Sequence, residues 1–132
     1  MRKTLLIITA LLFITSTVIP QSKVNINNLD EYGGKMFKQD DDKPYTGRAF
    51  DLYKSTGEKK LEGRYRNGLR TGKWTYWNEN GQKKSEVTYK DGEFDGLSMD
   101  WYENGQKSYE TTWKDGKVIS HKRWNEDGSV RK

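Results

Sequence analysis

The chain has 132 residues, 32% hydrophobic and 33% charged, so it has room for one domain and little apolar material for a conventional core. Five Trp and eight Tyr supply side chains that bury large areas, and they favour an all-β or repeat fold. The lack of cysteine excludes disulfides, thiol catalysis, thiolate metal sites and a cysteine-linked lipid, and a formal charge of +5 is too small to indicate a nucleic-acid partner.

The first 22 residues follow the pattern of an export signal. Arg2 and Lys3 precede an apolar run from Leu5 to Ile19, which gives way to polar residues. The run is short for a membrane span, yet no good small-x-small cleavage site follows it. Cleavage near Gln21 or Ser22 and retention as an anchor therefore both stay open. In either case we expect an exported protein that is periplasmic, secreted or attached to the envelope.

Residues 23–44 are polar and mixed in charge, and they predict a linker. They contain the pair Gly33-Gly34 and the acidic run Asp40-Asp41-Asp42, with one short strand around Lys35 to Lys38 as the candidate element. The acidic run lacks the spaced oxygen ligands and the glycine of a calcium loop, so a solvated linker is the simpler interpretation and no metal site is expected.

Glycine spacing reveals a repeat in the predicted domain, residues 45–132. Three glycine series keep a step of 24 residues: Gly57, Gly81 and Gly105; Gly68, Gly92 and Gly116; and Gly72 and Gly96. The step divides the domain into units 47–71, 72–95 and 96–119 and a partial unit 120–132. The first unit holds one extra residue before Tyr53, and the last has lost one before Trp124.

Turn dipeptides predict the structure of each unit. Asn or Asp precedes Gly at six places: Asn67-Gly68, Asn80-Gly81, Asp91-Gly92, Asn104-Gly105, Asp115-Gly116 and Asp127-Gly128. Such dipeptides supply the positive φ angles of tight hairpin turns, so each unit is expected to be strand, turn, strand, turn. The predicted fold is all-β, with tandem β-hairpin repeats forming one elongated, twisted antiparallel sheet of about seven or eight strands.

Two aromatic rows are predicted across this sheet. Alternation at period two places Tyr65, Tyr89 and Trp113 in one row on the second strands. The first strands carry another row, four residues before each turn glycine: Tyr53, Trp77, Trp101 and Trp124. Exposed rings in the second row are candidate contacts for a peptide, glycan or protein partner. Packing is the simpler account, because the sheet has few other apolar groups to bury.

At these residues the sequence resembles the MORN repeat, in the variant form common in bacteria and often labelled the toxin-antitoxin system YwqK family antitoxin. The resemblance rests on the Y/W-x-x-N-G turn in WNENGQKK and WYENGQKS, on Y/W-K-D-G-x-x-x-G in TYKDGEFDG and TWKDGK, and on the lead-in KPYTGRAFDLY. It covers Tyr45 to Lys132 and departs from the pattern at Ser120, where a glycine is expected. It implies β-hairpin repeats with a membrane-associated or protein-interaction role, or toxin binding under the antitoxin label, and it supplies no catalytic residue.

Basic residues concentrate in the first unit. Residues 47–71 contain seven Lys or Arg against three acids. Five of these side chains are candidate contacts for anionic lipid or an acidic protein: Lys59, Lys60, Arg64, Arg66 and Arg70. Protection of a strand edge against unwanted pairing is the competing explanation.

No constellation of residues indicates an enzyme or a cofactor. The single histidine, His121, is expected to be a solvent-facing strand residue, and no serine lies in a nucleophile-elbow motif. The sequence therefore predicts a non-enzymatic exported module that binds another protein. A YwqK-type antitoxin or immunity protein, and peripheral binding to anionic lipid through the first unit, are the alternatives.

Overall fold

The computed structural model describes residues 23–132, and the predicted signal peptide lies outside them. The strands of this part of the chain are β1 (Lys23–Asn25), β2 (Leu29–Tyr32), β3 (Lys35–Lys38), β4 (Gly47–Leu52), β5 (Lys59–Arg66), β6 (Leu69–Trp77), β7 (Lys83–Lys90), β8 (Glu93–Trp101), β9 (Lys107–Lys114), β10 (Lys117–Trp124) and β11 (Val130–Arg131). One turn of 3-10 helix, Ile26–Asn28, joins β1 to β2. None of the helical structure in residues 23–132 is long and apolar enough to cross a membrane.

One large sheet holds nine of these strands. Strands β4 to β11 pair in chain order and antiparallel, which confirms the predicted all-β fold of tandem hairpins. The prediction of a purely antiparallel sheet is wrong at one edge, because β1 pairs with β4 in parallel. Strands β2 and β3 form a separate two-stranded hairpin.

Two kinds of turn alternate along the sheet. Asn67-Gly68, Asp91-Gly92 and Asp115-Gly116 have positive φ at both residues, as predicted for two-residue hairpin turns. At Asn80, Asn104 and Asp127 the prediction is wrong, because only the following glycine has positive φ.

Loop length explains this difference. Between β6 and β7 the Gly81 N–H donates to the Asn78 carbonyl at 3.0 Å, and the Asn78 N–H donates to the Gln82 carbonyl at 2.8 Å. The Asn80 side-chain oxygen accepts from the Gln82 N–H at 3.0 Å. A five-residue loop of this kind needs the left-handed conformation only at its glycine, and the preceding asparagine serves as a hydrogen-bond acceptor.

Residues 23–44, predicted as a linker, are folded onto the repeats and are called the N-terminal cap below: β1 joins the edge of the sheet, and the β2–β3 hairpin is bonded to the repeats. The expected strand at Lys35–Lys38 is one arm of the β2–β3 hairpin. Its Met36 is tied to the repeats by two backbone bonds: the Met36 N–H donates to the Gly68 carbonyl at 2.9 Å, and the Met36 carbonyl accepts from the Tyr45 N–H at 2.7 Å.

Scattered apolar residues explain why the cap folds. Leu29 is buried, and Val24, Ile26 and Met36 pack against the core. Val24 and Ile26 alternate with asparagines over only four residues, and Leu29 and Met36 lie apart from them, so no pattern of useful length predicts their burial.

The core lies at the N-terminal half of the sheet. It contains Leu29, Tyr45, Ala49, Tyr65 and Trp74, and the Trp74 side chain is 0% exposed. The Trp74 indole lies directly on the backbone of Gly63, where an added Cβ would sit 2.1 Å from the ring. Its N–H donates to the Arg64 carbonyl at 3.2 Å, so the ring is both packed and hydrogen-bonded.

Aromatic rings continue from this core along one side of the sheet, called the core face below. Successive ring centroids lie 4.9 to 6.3 Å apart in the order Tyr45, Tyr65, Trp74, Tyr89, Phe94 and Trp113. The predicted row of Tyr65, Tyr89 and Trp113 is therefore present, but Trp74 and Phe94 separate its members. Edge-to-face and tilted contacts of this kind stabilise a sheet that has few aliphatic residues.

Candidate functional site

The side of the sheet opposite the core face carries Trp77, Trp101 and Trp124, and it is called the tryptophan face below. Each of these residues is the last of its strand before a five-residue loop, and each is half-buried. Equivalent positions are two strands apart, which corresponds to roughly 10 Å. The three rings thus form an evenly spaced series.

A lysine lies over each of these rings. The Nζ atoms of Lys59, Lys83 and Lys107 lie 5.5, 5.7 and 5.6 Å from the ring centroids of Trp77, Trp101 and Trp124, respectively. This geometry is a cation–π contact, and the three lysines share the 24-residue step of the glycines. We call the six side chains the lysine–tryptophan ladder.

The predicted fourth member of the row, Tyr53, occupies a different position. Leu52 pairs with Lys59 in the way that Trp77 pairs with Lys83, so Leu52 takes the place of a tryptophan in the first unit. The Tyr53 N–H donates to the Glu58 carbonyl, which makes Tyr53 the first residue of the loop. The extra residue of this unit therefore lies after Tyr53, within the turn, and not before it as predicted.

The hydroxyl of Tyr53 joins the first unit to the second. It donates to the Trp77 carbonyl at 2.6 Å, and Tyr102 makes the same bond to the Trp124 carbonyl at 2.8 Å. Tyr53 thus fixes the backbone beneath the ladder and is not a ring of the ladder itself.

A groove of about 650 Å³ opens on the tryptophan face at its N-terminal end. Its charged lining consists of one acid and four cations: Glu62, Arg48, Lys59, Arg64 and Lys73. Glu62 accepts from Arg48 at 2.6 Å and from Lys59 at 2.8 Å. The hydrogen bond from Lys59 and the surrounding positive charge hold the pKa of Glu62 below its ordinary value, although burial acts in the opposite direction. The groove therefore keeps an excess of positive charge.

The second unit repeats this arrangement at Glu86. Its carboxylate accepts from Lys83 at 2.6 Å and from Lys73 at 3.5 Å. Burial alone would raise the pKa of Glu86, but the hydrogen bond and charge of Lys83, with that of Lys73, outweigh burial and lower it. Each acid thus orients lysines around the tryptophan positions.

The five basic residues predicted as one patch do not lie together. Lys59 and Arg64 line the groove, whereas Lys60 pairs with Asp51 at 3.5 Å and Arg66 is exposed at the end of β5. Arg70 lies on the core face, away from the other members. The density of basic residues along the sequence does not show which side of the sheet each of these side chains occupies.

Arg70 is part of the aromatic packing. Its guanidinium carbon lies 4.4 Å from the Trp74 ring centroid, and its Nη1 donates to the hydroxyls of Tyr76 at 2.9 Å and Tyr89 at 3.2 Å. Burial alone would lower the pKa of Arg70. Hydrogen bonds to Tyr65 and Tyr89 and the electrostatic effect of Tyr76 outweigh burial, so the pKa of Arg70 is raised. Burial also raises the pKa of Tyr76 to about 12, against the opposing effect of Arg70.

The remaining candidates are at the C-terminal end or in the cap. His121 stacks on the ring of Tyr109, with centroids 6.0 Å apart and planes 5° apart. The acidic run ends in a turn in which Asp41 accepts from the Lys43 N–H at 3.1 Å. Within residues 23–132, no group of three or more His, Asp or Glu side chains is arranged to hold a metal ion.

Sequence reasoning missed several residues of the tryptophan face. Arg48, Lys73, Lys83, Lys107, Glu62 and Glu86 all contribute to the groove or to the ladder. The 24-residue step of Lys59, Lys83 and Lys107 was visible in the sequence and was the signal that could have identified the lysines. The position of Arg48 depends on the pairing of β4 with β5, which the sequence alone does not fix.

Two adjacent hairpins of this sheet match a known family. The pattern of that family, described as the MORN repeat variant, matches residues 70–91 and 94–115. These ranges correspond to the β6–β7 and β8–β9 hairpins with their five-residue loops. MORN repeats are commonly binding modules, which is consistent with a non-enzymatic repeat protein. No curated protein matched the chain. No solved structure matched it either.

Proposed function

We propose that this chain is a non-enzymatic interaction module that binds another protein through its tryptophan face. The observation that carries the proposal is the lysine–tryptophan ladder, in which one pair of residue types recurs at the same place in successive units. Tryptophan is among the residues that contribute most to protein interfaces, and a half-buried ring is already held in place before a partner arrives.

The charge of this face indicates the kind of partner. The groove beside Trp77 has four cations around one acid, and Glu62 is already engaged by Arg48 and Lys59. A partner that places apolar groups over the rings and acidic groups near the groove would satisfy both features. The sheet thus offers a binding surface that extends over several units.

The test compares capture of a partner by the wild-type protein and by a variant with Trp101→Ser and Trp124→Ser. Tyr32→Ser is the matched control, because Tyr32 is 81% exposed and belongs to the cap. The tagged mature protein is incubated with an envelope extract, and each captured protein is quantified. We expect the control to retain the partner and the double variant to bind about tenfold less, the effect of losing well-packed aromatic contacts.

Circular dichroism of both variants checks that the sheet is intact. Equal capture by the wild type and a folded double variant would place the binding surface elsewhere. Loss of capture in Tyr32→Ser as well would point to the cap.

Export is a second part of the proposal. It is supported by Arg2, Lys3 and the apolar run from Leu5 to Ile19. N-terminal sequencing of the protein from fractionated cells tests it, with a mature start near Lys23 as the expected result. Cytoplasmic protein that retains Met1 would contradict export.

The two alternative functions receive less support. The match to the MORN repeat variant is a match to the hairpin unit, so the antitoxin hypothesis depends on the sequence resemblance alone. Peripheral lipid binding through the first unit rests on a cluster of basic side chains, and one of the five candidates, Arg70, is instead packed against the Trp74 ring on the core face. Flotation with vesicles containing anionic lipid would test that alternative directly.

A further inference from the structure

Among residues 23–132, no strand pairs with most of the C-terminal edge of the sheet. Strand β10 pairs with β9 from Lys117 to Arg123, but on its other side β11 pairs only with Arg123 and Trp124. Within residues 23–132, no strand covers the outer side of 117–122. Such an edge presents a row of backbone donors and acceptors that can accept another strand.

At the opposite edge of the same sheet, a short strand covers part of the first repeat strand. There β1 lies along β4, with three paired residues from Lys23 to Asn25, and the chain then turns away through the 3-10 helix. In the part of the chain that the structure describes, the two edges are therefore unequal, and the longer unpaired stretch is the one at β10.

Side chains at the open edge combine apolar and basic character. Val118 and Ile119, near the start of β10, are 52% and 63% exposed. Towards the other end of β10, a cavity of about 490 Å³ is lined by basic side chains with no acid among them: His121, Lys122, Arg123, Arg131 and Lys132.

Aromatic contacts hold two of these cations in position. The Arg123 guanidinium lies 5.0 Å from the Tyr109 ring centroid and donates to its hydroxyl at 3.2 Å. The Nζ of Lys122 lies 5.0 Å from the Trp124 ring centroid. The ion pairs among residues 23–132 use none of the cavity's basic residues. These cations are thus preorganised for an anionic partner.

We propose that β10 accepts an extended, acidic segment of another protein as an additional strand. The segment would place apolar side chains beside Val118 and Ile119 and carboxylates beside Lys122 and Arg131. Backbone pairing supplies a sequence-independent part of the affinity, and the basic cavity selects the charge. This site adjoins the tryptophan face at Trp124, but it does not depend on the function proposed for that face.

Charge argues against two other segments that could pair with β10, namely β10 of a second copy and the chain's own residues 1–22. Antiparallel pairing of two copies of β10 about Ile119-Ser120 would put Lys117 of each opposite Lys122 of the other, and facing like charges are destabilising. The chain's own residues 1–22 contain Arg2 and Lys3 and no acid, so they do not complement the cavity.

The test uses a short, fluorescently labelled peptide that alternates glutamate with valine, and measures its binding to the mature protein by anisotropy. A peptide of the same sequence with methylated backbone nitrogens has the same charge but cannot pair as a strand. Lys122→Glu with Arg131→Glu reverses the charge of the cavity, and Lys90→Glu is the matched control at an exposed lysine at the end of β7. We expect the charge-reversed variant and the methylated peptide each to bind at least about tenfold more weakly, and Lys90→Glu to bind as the wild type does.

Equal binding of the methylated peptide would overturn strand addition and leave only charge attraction. Equal binding by the charge-reversed variant, or no binding by the wild type, would overturn the proposed site. A concentration-dependent dimer in sedimentation that Lys122→Glu strengthens, because it places a glutamate opposite Lys117 of the other copy, would assign the edge to a second copy of the chain instead. Circular dichroism of each variant confirms that loss of binding is not loss of folding.

Discussion

The two ends of the sheet share one hairpin pattern but differ in how deeply they are packed. At the N-terminal end Ala49 and Trp74 are fully buried, and the cap covers the core face. At the C-terminal end every residue of β10 except Trp124 is exposed. The repeat by itself supplies turns and strand pairing, whereas a dry core forms only where residues outside the repeat lie over it.

The equivalent positions of successive units show the same contrast. Trp74 in β6 corresponds to Ser98 in β8, one 24-residue step later. The Ser98 hydroxyl accepts from the Trp113 indole N–H at 2.8 Å, so a polar bond replaces the buried ring at this place. The C-terminal units are therefore stabilised more by hydrogen bonding and less by burial.

The largest effect is expected from removing the buried indole. Trp74→Ala should cost about 3–5 kcal/mol of unfolding free energy, the range for a large core side chain. Trp113→Ala should cost about half as much, because Trp113 is only partly buried. Urea unfolding followed by far-ultraviolet circular dichroism measures both. Equal costs would mean that the C-terminal half is packed as well as the N-terminal half.

The close contact of Gly63 with Trp74 allows a sharper test of the same core. Gly63→Ala should cost about 1–3 kcal/mol, because its Cβ would overlap the indole and force a backbone shift. The clash depends on the ring, so the same substitution should cost clearly less in a Trp74→Phe background. Additive costs in a double-mutant cycle would show that Gly63 is required for another reason.

Substitutions in the two kinds of turn are expected to change the unfolding free energy by smaller and unequal amounts. Asp91 has a φ of 49°, so Asp91→Val should cost about 1–2 kcal/mol for a β-branched residue in the left-handed region. Asn80→Val should cost about 0.5–1 kcal/mol, since it removes one exposed hydrogen bond to the Gln82 N–H. Denaturation midpoints of the two variants give the comparison, and the opposite order would contradict the turn assignment.

The smallest effect concerns acid stability of the tryptophan face. The folded-state pKa of Glu62 is lowered, so its contribution is present above the unfolded pKa and is lost as the pH falls through the folded value. Between about pH 5 and pH 3 the wild type should therefore lose more stability than Glu62→Gln. Thermal unfolding over this pH range measures the difference, which high salt should reduce because Arg48 and Lys59 are half-exposed. Parallel pH profiles would contradict a role for these ion pairs.

Much of the hairpin architecture could be predicted, because turn glycines and strand alternation are local features. The dipeptide predicts the turn at Asp91-Gly92 correctly for this reason, but it predicts the wrong turn type at Asn80-Gly81 because it does not reveal the length of the loop. Tyr53 was misplaced because one extra residue can be inserted on either side of it without changing the glycine spacing.

Features that depend on distant contacts could not be predicted. The sequence does not predict the cap, because Leu29 and Met36 lie in a largely polar segment and only the folded sheet gives them a surface to cover. Charge density along the sequence places Arg70 in a basic patch, because it cannot show that Tyr76 and Tyr89 bind the guanidinium on the core face.

The bonds between successive short turns give the sheet a modular length. The Gly92 N–H donates to the Arg70 carbonyl at 3.0 Å, and the Gly116 N–H donates to the Phe94 carbonyl at 2.9 Å. Each of these turns is therefore hydrogen-bonded to the strand that follows the preceding short turn. Val118 holds the same position in the last unit, and no glycine turn within residues 23–132 is bonded to it. An inserted copy of residues 72–95 would donate this hydrogen bond to the unit before it and accept the same bond from the unit after it. The fold is therefore a scaffold that can be lengthened by whole units without redesign of its neighbours.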